Sequence, residues 1–458
     1  MNVYRSLSCI AVLSMIGSTA FAKQIKLDVG LAKPTVAVGD RGRNDTGKVE
    51  GHMRIALTGF ELKEDRERMP VNVAIVIDKS GSMQGDKIEQ AREAAVHAID
   101  RLRDSDIVSV VTYDSTVNVV VPATKASDRD AIKAKIRKIQ ASGNTALFAG
   151  VTKGAAEVRK FHTDKRVNRV ILLSDGLANV GPSSPSELEE LGASLLKDGI
   201  SVSTLGLGLG YNEDLMTRLA LASSGNHVFI EDAENLVRVF QNEFDDVLSV
   251  VAQKIVIKAQ MAQGVRPVKV LNYPAEIDGQ TVAIELGQLC SNQQRMFVIE
   301  FEMKLGDANT TSPVAVVSVE YLNLATETTD KLTSSVQVKF TDSKELAEKE
   351  VNKEVLASCV IQIANERNRR ATELRDSGEV EEAKKLLKLN ADYLNESYRS
   401  LGAAELELRG RLNSQQAEQL EGPGWAANRK AMRQLQNIDA TQQSYLGSGA
   451  KSDYSKDK

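Results

Sequence analysis

The sequence predicts an α/β fold: a doubly wound, mostly parallel sheet, flanked by an antiparallel β-sandwich and followed by a C-terminal helical hairpin. Three observations predict it. Over 71–250, nearly continuous apolar runs alternate with segments of helical periodicity, as parallel strands buried on both faces require. Over 251–342 the pattern becomes apolar–polar alternation without helices, as in a sandwich. From 343 onward, long charged segments carry apolar residues at helical spacing.

The elements follow in order. Residues 1–22 have one early Arg, an apolar stretch and a small-x-small end at Ala20-Phe21-Ala22. That pattern reads as a secretory signal peptide, and no other segment is apolar enough to span a bilayer. The chain is therefore expected to be exported, to the periplasm or beyond. Residues 23–70 hold short strands punctuated by Gly, Asp and Asn, expected to be part of the sandwich. VNVAIVID opens the α/β region as a nearly all-apolar strand. Helices are expected at GDKIEQAREAAVHAIDRL, DRDAIKAKIRKI, TALFAGVTKGAAEVRKF, SELEELGASLLKDG, EDLMTRLALASSG and AENLVRVFQNEFDDVLS. Strands are expected at DIVSVVTYD, VNVVVP, RVILLSDG, ISVSTLGLG and HVFIE. Over 343–440 an Asp-Ser-Gly break separates two long helical segments, which reads as a hairpin, with a third helix over AANRKAMRQLQN. The polar tail, 441–458, is expected to be disordered.

Composition narrows the function classes. The 458 residues exceed what one core holds, so several domains are expected. A net charge of −4, with basic residues interleaved among acids, argues against a nucleic-acid binder. Of three Cys, Cys9 leaves with the signal peptide. Cys290 and Cys359 suit a disulfide or two separate buried thiols equally well. Neither their spacing nor the four isolated His residues suits a metal site.

The chemistry concentrates where VNVAIVID ends. Asp78-x-Ser80-x-Ser82 places three oxygen side chains on one turn. Hard oxygens around a shared point suit a divalent cation, and small hydroxyls with one carboxylate suit Mg²⁺ or Mn²⁺. Further oxygens are expected from Thr145, which opens a helix, and from Asp175, which ends VILLSDG. In parallel sheets, ligands sit at these carboxyl ends of strands. The plainer reading makes Asp78 a helix cap and the serines turn residues, and leaves Thr145 and Asp175 as coincidence.

Asp78-Lys79-Ser80-Gly81-Ser82-Met83, Gly143-Asn144-Thr145-Ala146-Leu147 and Ser174-Asp175-Gly176 together resemble the metal-ion-dependent adhesion site of von Willebrand factor type A (VWA) domains. The resemblance covers about residues 70–250 and implies a Rossmann-like fold. It implies that Ser80 and Ser82 hold the metal directly, Thr145 directly or through water, and Asp78 and Asp175 mostly through water. The ion implied is Mg²⁺, with Mn²⁺ or Ca²⁺ as alternatives. A protein partner would supply a carboxylate to its free position. The flanking strands and charged helices resemble bacterial exported relatives of the inter-alpha-trypsin inhibitor heavy chain and calcium-activated chloride channel groups.

Other features rank lower. Gly206, Gly208 and Gly210 in GLGLGYNED superficially resemble a phosphate-cradling loop but lack the GxGxxG spacing, which favours turn glycines. Asp114 is a candidate for ligand contact near the same sheet edge. Tyr113, Tyr211 and Phe148 are candidates for a rim around it, with core packing favoured for Phe148. GEVEEAKKLL resembles a tetratricopeptide turn, but without a 34-residue period a plain hairpin is favoured. The sequence favours a non-enzymatic, metal-dependent protein-binding module. One alternative is an envelope assembly scaffold in which the metal is structural. The other is a metal-dependent hydrolase, against which no base is visibly paired with the serines.

Overall fold

The structure is a computed structural model that describes residues 23–39, 48–63 and 68–443. The expected signal peptide and residues 444–458 of the expected tail lie outside the described residues. β1 (Lys26–Leu31), β2 (Thr35–Ala37) and β3 (Lys48–Thr58) come first. The α/β unit follows: β4 (Val71–Asp78), α1 (Asp86–Asp100), β5 (Ile107–Tyr113), β6 (Val117–Lys125), α2 (Arg129–Ile136) and α3 (Leu147–Arg159). It continues with β7 (Val167–Ser174), α4 (Pro185–Lys197), β8 (Ser201–Leu207), α5 (Glu213–Ala222), β9 (His227–Ile230) and α6 (Leu236–Leu248). Seven strands come next: β10 (Val250–Met261), β11 (Val265–Val270), β12 (Glu276–Asp278), β13 (Thr281–Cys290), β14 (Gln294–Lys304), β15 (Thr311–Asn323) and β16 (Thr328–Thr341). The helices α7 (Lys344–Lys349), α8 (Lys353–Asp376), α9 (Val380–Leu401), α10 (Ala404–Glu418) and α11 (Trp425–Thr441) end the described chain.

The α/β unit holds one sheet in the order β6-β5-β4-β7-β8-β9, parallel except for the β5–β6 pair. Every residue of β4 is buried, because successive side chains enter helical layers on opposite faces. Val73, Ile75 and Ile77 pack with Ile88 and Ile99 of α1 and Phe240 and Phe244 of α6. Ala74 and Val76 pack with Val151 and Val158 of α3 and Leu188 and Leu195 of α4. The chain adds β5 on one side of β4 and later returns to add β7 on the other. That reversal opens a crevice at the carboxyl ends of β4 and β7, where loops diverge and ligands bind in such sheets.

Two further sheets share a second core. One has the antiparallel order β1-β3-β14-β11. The other runs β12-β13-β10-β15-β16-β2, with β2 parallel to β16. Ile55, Leu57, Ile257, Phe297, Val317 and Phe340 belong to the apolar layer between them. β3 and β2 thus pair with strands more than two hundred residues later, with Phe297 opposite Ile55.

The C-terminal region contains the α8–α9 hairpin and more. α10 packs on α9, and α11 packs on α8 and α5. α10 gave little sequence signal because its buried face includes Gly410, Asn413 and Gln416. The Asn413 side-chain oxygen accepts from Asn368 and Asn390, each at 3.0 Å. A buried amide network replaces the usual apolar stripe. Cys290 and Cys359 are separate buried thiols, and burial pushes each up to about 12. Among the described residues no helix is long and apolar enough to cross a membrane.

Candidate metal centre

The crevice between β4 and β7 is built from three loops. Asp78 ends β4, and the chain turns through a single 3₁₀ turn, Gly81–Met83, before α1. Asp78 Oδ1 accepts from the Ser80 backbone N–H, and Oδ2 accepts from Ser174 Oγ, both at 2.8 Å. Its carboxylate therefore anchors the turn that presents the two serines. Ser80 Oγ and Ser82 Oγ lie 3.1 Å apart, and Ser82 Oγ donates to Asp175 Oδ1 at 2.7 Å.

The second loop is pinned to the first by backbone bonds. Gly81 N–H donates to the Gly143 carbonyl at 2.9 Å, and Ser142 N–H donates to the Lys79 carbonyl at 2.5 Å. Gly143 has φ of 79°, a left-handed value that favours glycine. Thr145 follows, almost fully buried, with its N–H donating to Asn179 Oδ1 at 2.9 Å. The third loop begins at Asp175. A Cβ added to Gly176 would stand 3.1 Å from Thr145 Oγ1 and 3.4 Å from Ser82 Oγ. A glycine there leaves room for hydroxyls from two loops to converge.

All five predicted residues thus meet in one crevice, three hydroxyls with two carboxylates. Asp78, Asp175 and Ser80 are buried while Ser82 is exposed, so the oxygens open to solvent at Ser82. Burial raises the Asp78 pKa; hydrogen bonds from Ser80 and Ser174 oppose this, and the neighbouring Asp175 charge adds to it. Lys87 from α1 lies 2.6 Å from Asp175 Oδ2 and supplies a positive charge. Two close carboxylates and three hydroxyl oxygens form a donor set that fits a hard divalent ion, with the Lys87 ammonium holding one carboxylate oxygen in its absence. Among the described residues no group of three or more His, Cys, Asp and Glu could hold a metal ion. An ion in the crevice would therefore depend on the Ser and Thr oxygens.

Sequence reasoning gave no role to Ser174, Lys87 or Asn179. Ser174 sits inside the quoted SDG segment, so its position carried a signal. Lys87 and Asn179 look like an ordinary helix lysine and a loop asparagine. Asp114 neighbours the site and pairs with Lys79. Burial would raise its carboxyl, but hydrogen bonds from Lys79 and Thr116 outweigh this and hold it at about 2. Its role is to hold Lys79 and the 142–146 loop in place: Ser142 Oγ donates to it at 3.1 Å, and the Ala146 N–H donates to its carbonyl at 2.8 Å.

Two rim candidates are core residues instead. Tyr113 is fully buried and donates to the Leu173 carbonyl at 3.2 Å. Tyr211 is also buried, because its ring fills the space left by Gly206, whose added Cβ would lie 2.1 Å from it. Phe148 packs partly buried against the core of the second face. A Cβ on Gly210 would approach the Asp175 carbonyl to 2.8 Å. Gly206 and Gly210 are thus required for close packing beside the crevice.

A doubly wound sheet with a polar crevice at its switch point places this unit among the α/β domains that bind ligands at the carboxyl ends of their strands. Residues 72–243 match the family model described as von Willebrand factor type A domain, so this stretch of the chain is a VWA domain. An uncharacterized protein of Synechocystis is 28% identical over 257 residues, which is 54% of this chain and 60% of that protein. Inter-alpha-trypsin inhibitor heavy chain H2 of Mus musculus is 32% identical over 197 residues, 40% of this chain and 21% of the heavy chain. These matches span less than two thirds of either relative's own length. A von Willebrand factor type A structure from Catenulispora acidiphila covers 92% of this chain and 97% of its own, at TM-score 0.68 and 16% identity. That likeness concerns the fold, and it extends over the sandwich and C-terminal helices as well as the α/β unit.

Proposed function

We propose that this protein is an exported, non-enzymatic binding module that holds a protein partner through a divalent metal at the β4–β7 crevice. The convergence of Ser80, Ser82, Thr145, Asp78 and Asp175 carries this reading. Ser80, Ser82 and Thr145 would hold the ion through hydroxyl oxygens, with Asp78 and Asp175 supplying charge. Mg²⁺ is the first choice and Mn²⁺ or Ca²⁺ the alternatives. When bound, the metal supplies an electrophilic centre that attracts a carboxylate. The chain's own part is to fix the oxygens. Asp78 orients the serine turn through the Ser80 N–H, and Ser174 and Asn179 brace Asp78 and Thr145. With few anionic oxygens at the centre, an Asp or Glu from a partner gains more than it would at an all-carboxylate site. Placement in the periplasm or outside the cell is inferred from residues 1–22.

The test compares tagged protein in Mg²⁺, in EDTA, and as Asp78→Ala in Mg²⁺, each mixed with native envelope extract. A protein retained only by the wild type in Mg²⁺ supports the reading. Equal retention in all three overturns it and moves the contacts to the sandwich or C-terminal helices, leaving the metal structural.

A further inference from the structure

A separate cavity of about 150 Å³ lies where α5, α8 and α11 meet. It has room for roughly ten waters, each taking about 15 Å³ by this measure. Its lining is polar and incompletely paired. Asn437 is only 3% exposed, yet its Nδ2 has no hydrogen-bond partner among the described residues. The buried Thr217 Oγ1, across the cavity on α5, has none either. Buried donors without partners are rare in native proteins and call for a ligand or ordered water.

The charge balance favours an anion. Among the lining cations, Arg218 is paired with Glu189 and Arg433 with Asp214, while Glu373 is paired with Arg370, so Arg369 is left as the cation without an ion pair of its own. Asp214 is itself engaged by Arg429 and Arg433. Arg369 has no hydrogen bond or ion pair among the described residues. Burial, then the like charge of Arg433, lowers its pKa, opposed by Glu373. Water would satisfy Asn437 and Thr217 but would leave this guanidinium uncompensated. The two carboxylates in the lining disfavour a doubly charged phosphate.

Arg218, Leu221, Arg369 and Glu373 also line an adjoining open cleft of about 590 Å³. Its far wall is supplied by Val270, Tyr273 and Pro274 of the sandwich. An oxyanion held in the small cavity would thus have an apolar neighbour on the cleft side.

We infer that this junction is a binding site for a monocarboxylate with an apolar body, of the kind presented by the C-terminal residue of a peptide. Arg369 holds the carboxylate, Asn437 and Thr217 donate to its oxygens, and the apolar body lies against Tyr273 and Leu221. The site is on α5, α8 and α11, away from the metal crevice, and does not depend on the metal reading.

The experiment is calorimetric titration of the full chain with N-acetyl-L-leucine at constant ionic strength, against N-acetyl-L-leucinamide and inorganic phosphate. Saturable binding of the carboxylate alone is expected. Arg369→Ala should weaken it about 10- to 100-fold, as loss of a charged hydrogen bond does, with partial recovery in Arg369→Lys. Asn437→Asp should abolish it by adding a negative charge. Asp78→Ala should leave it unchanged, which separates this site from the crevice. Equal binding of the amide, tighter binding of phosphate, no saturation by 20 mM (on the order of −2 kcal/mol), or an unaltered affinity in a folded Arg369→Ala would each overturn the assignment.

Discussion

The Lys87 ammonium lies 2.6 Å from Asp175 Oδ2, on the carboxylate whose other oxygen accepts from Ser82. Lys87 is therefore a cation that the described residues supply directly to a crevice carboxylate. It reaches there from the first turn of α1, which begins at Asp86, directly after the serine turn. A divalent ion drawn to the same carboxylate has to share it with the ammonium or displace it. Removing the lysine charge removes that competitor. Lys87→Met should bind Mn²⁺ about five- to tenfold more tightly, corresponding to a partly exposed charge pair of about 1 kcal/mol. Titration of both proteins with Mn²⁺ measures this. Equal affinities would mean that Lys87 and the metal do not meet at Asp175.

His227 gives the fold a defined acid sensitivity. It is buried, with Nδ1 2.9 Å from Thr204 Oγ1 and Nε2 3.4 Å from the Tyr211 hydroxyl. Burial lowers its pKa to about 4, and the favourable charge of Glu213 only partly offsets this. The folded state therefore takes up a proton less readily than the unfolded chain, whose value is near 6.5. Its contribution is complete above pH 6.5 and is lost as pH falls toward 4. The shift corresponds to about 3 kcal/mol. Urea denaturation between pH 7 and 4 should show stability declining through this window, and His227→Gln should flatten the decline. A wild-type and variant pair with parallel pH profiles would assign the acid sensitivity to other groups.

What the sequence disclosed depended on whether burial was apolar. β4 and β7 were readable because each is a run of buried residues ending at an acid. The five oxygen residues were readable because each sits at the end of an element with a strong periodic pattern. Lys87 and Asn179 were not, since their roles come from loops folding together across about ninety and thirty-four residues. α10 escaped because Asn413 and Gln416 bury amides whose oxygens accept from distant partners on α8 and α9. The pairing of β3 with β14 is equally nonlocal, and no periodicity encodes it. Tyr113 and Tyr211 were misplaced for a related reason: an aromatic beside a crevice looks the same in sequence whether it faces solvent or fills the space over a glycine.

At the opposite end of the sheet from the crevice, Arg169 joins the α/β unit to the sandwich. Its Nη1 donates to Ser203 at 2.9 Å and to Glu243 at 2.8 Å, and its Nη2 donates to Gln288 on β13 at 2.5 Å. Arg169 and Glu243 are both essentially inaccessible to solvent. Replacing one partner leaves the other charge buried without its counter-ion, whereas replacing both with apolar groups removes the desolvation cost as well. Glu243→Leu should therefore destabilise the fold by about 3–5 kcal/mol, and the Arg169→Met, Glu243→Leu double variant should recover more than half of that. Urea denaturation of the wild type, both single variants and the double variant closes the cycle. Mn²⁺ affinity of the folded double variant should match the wild type, because Arg169 enters β7 near its start while Asp175 follows its end. Additive losses in the cycle would show that Arg169 acts through Ser203 and Gln288 rather than through its charge partner.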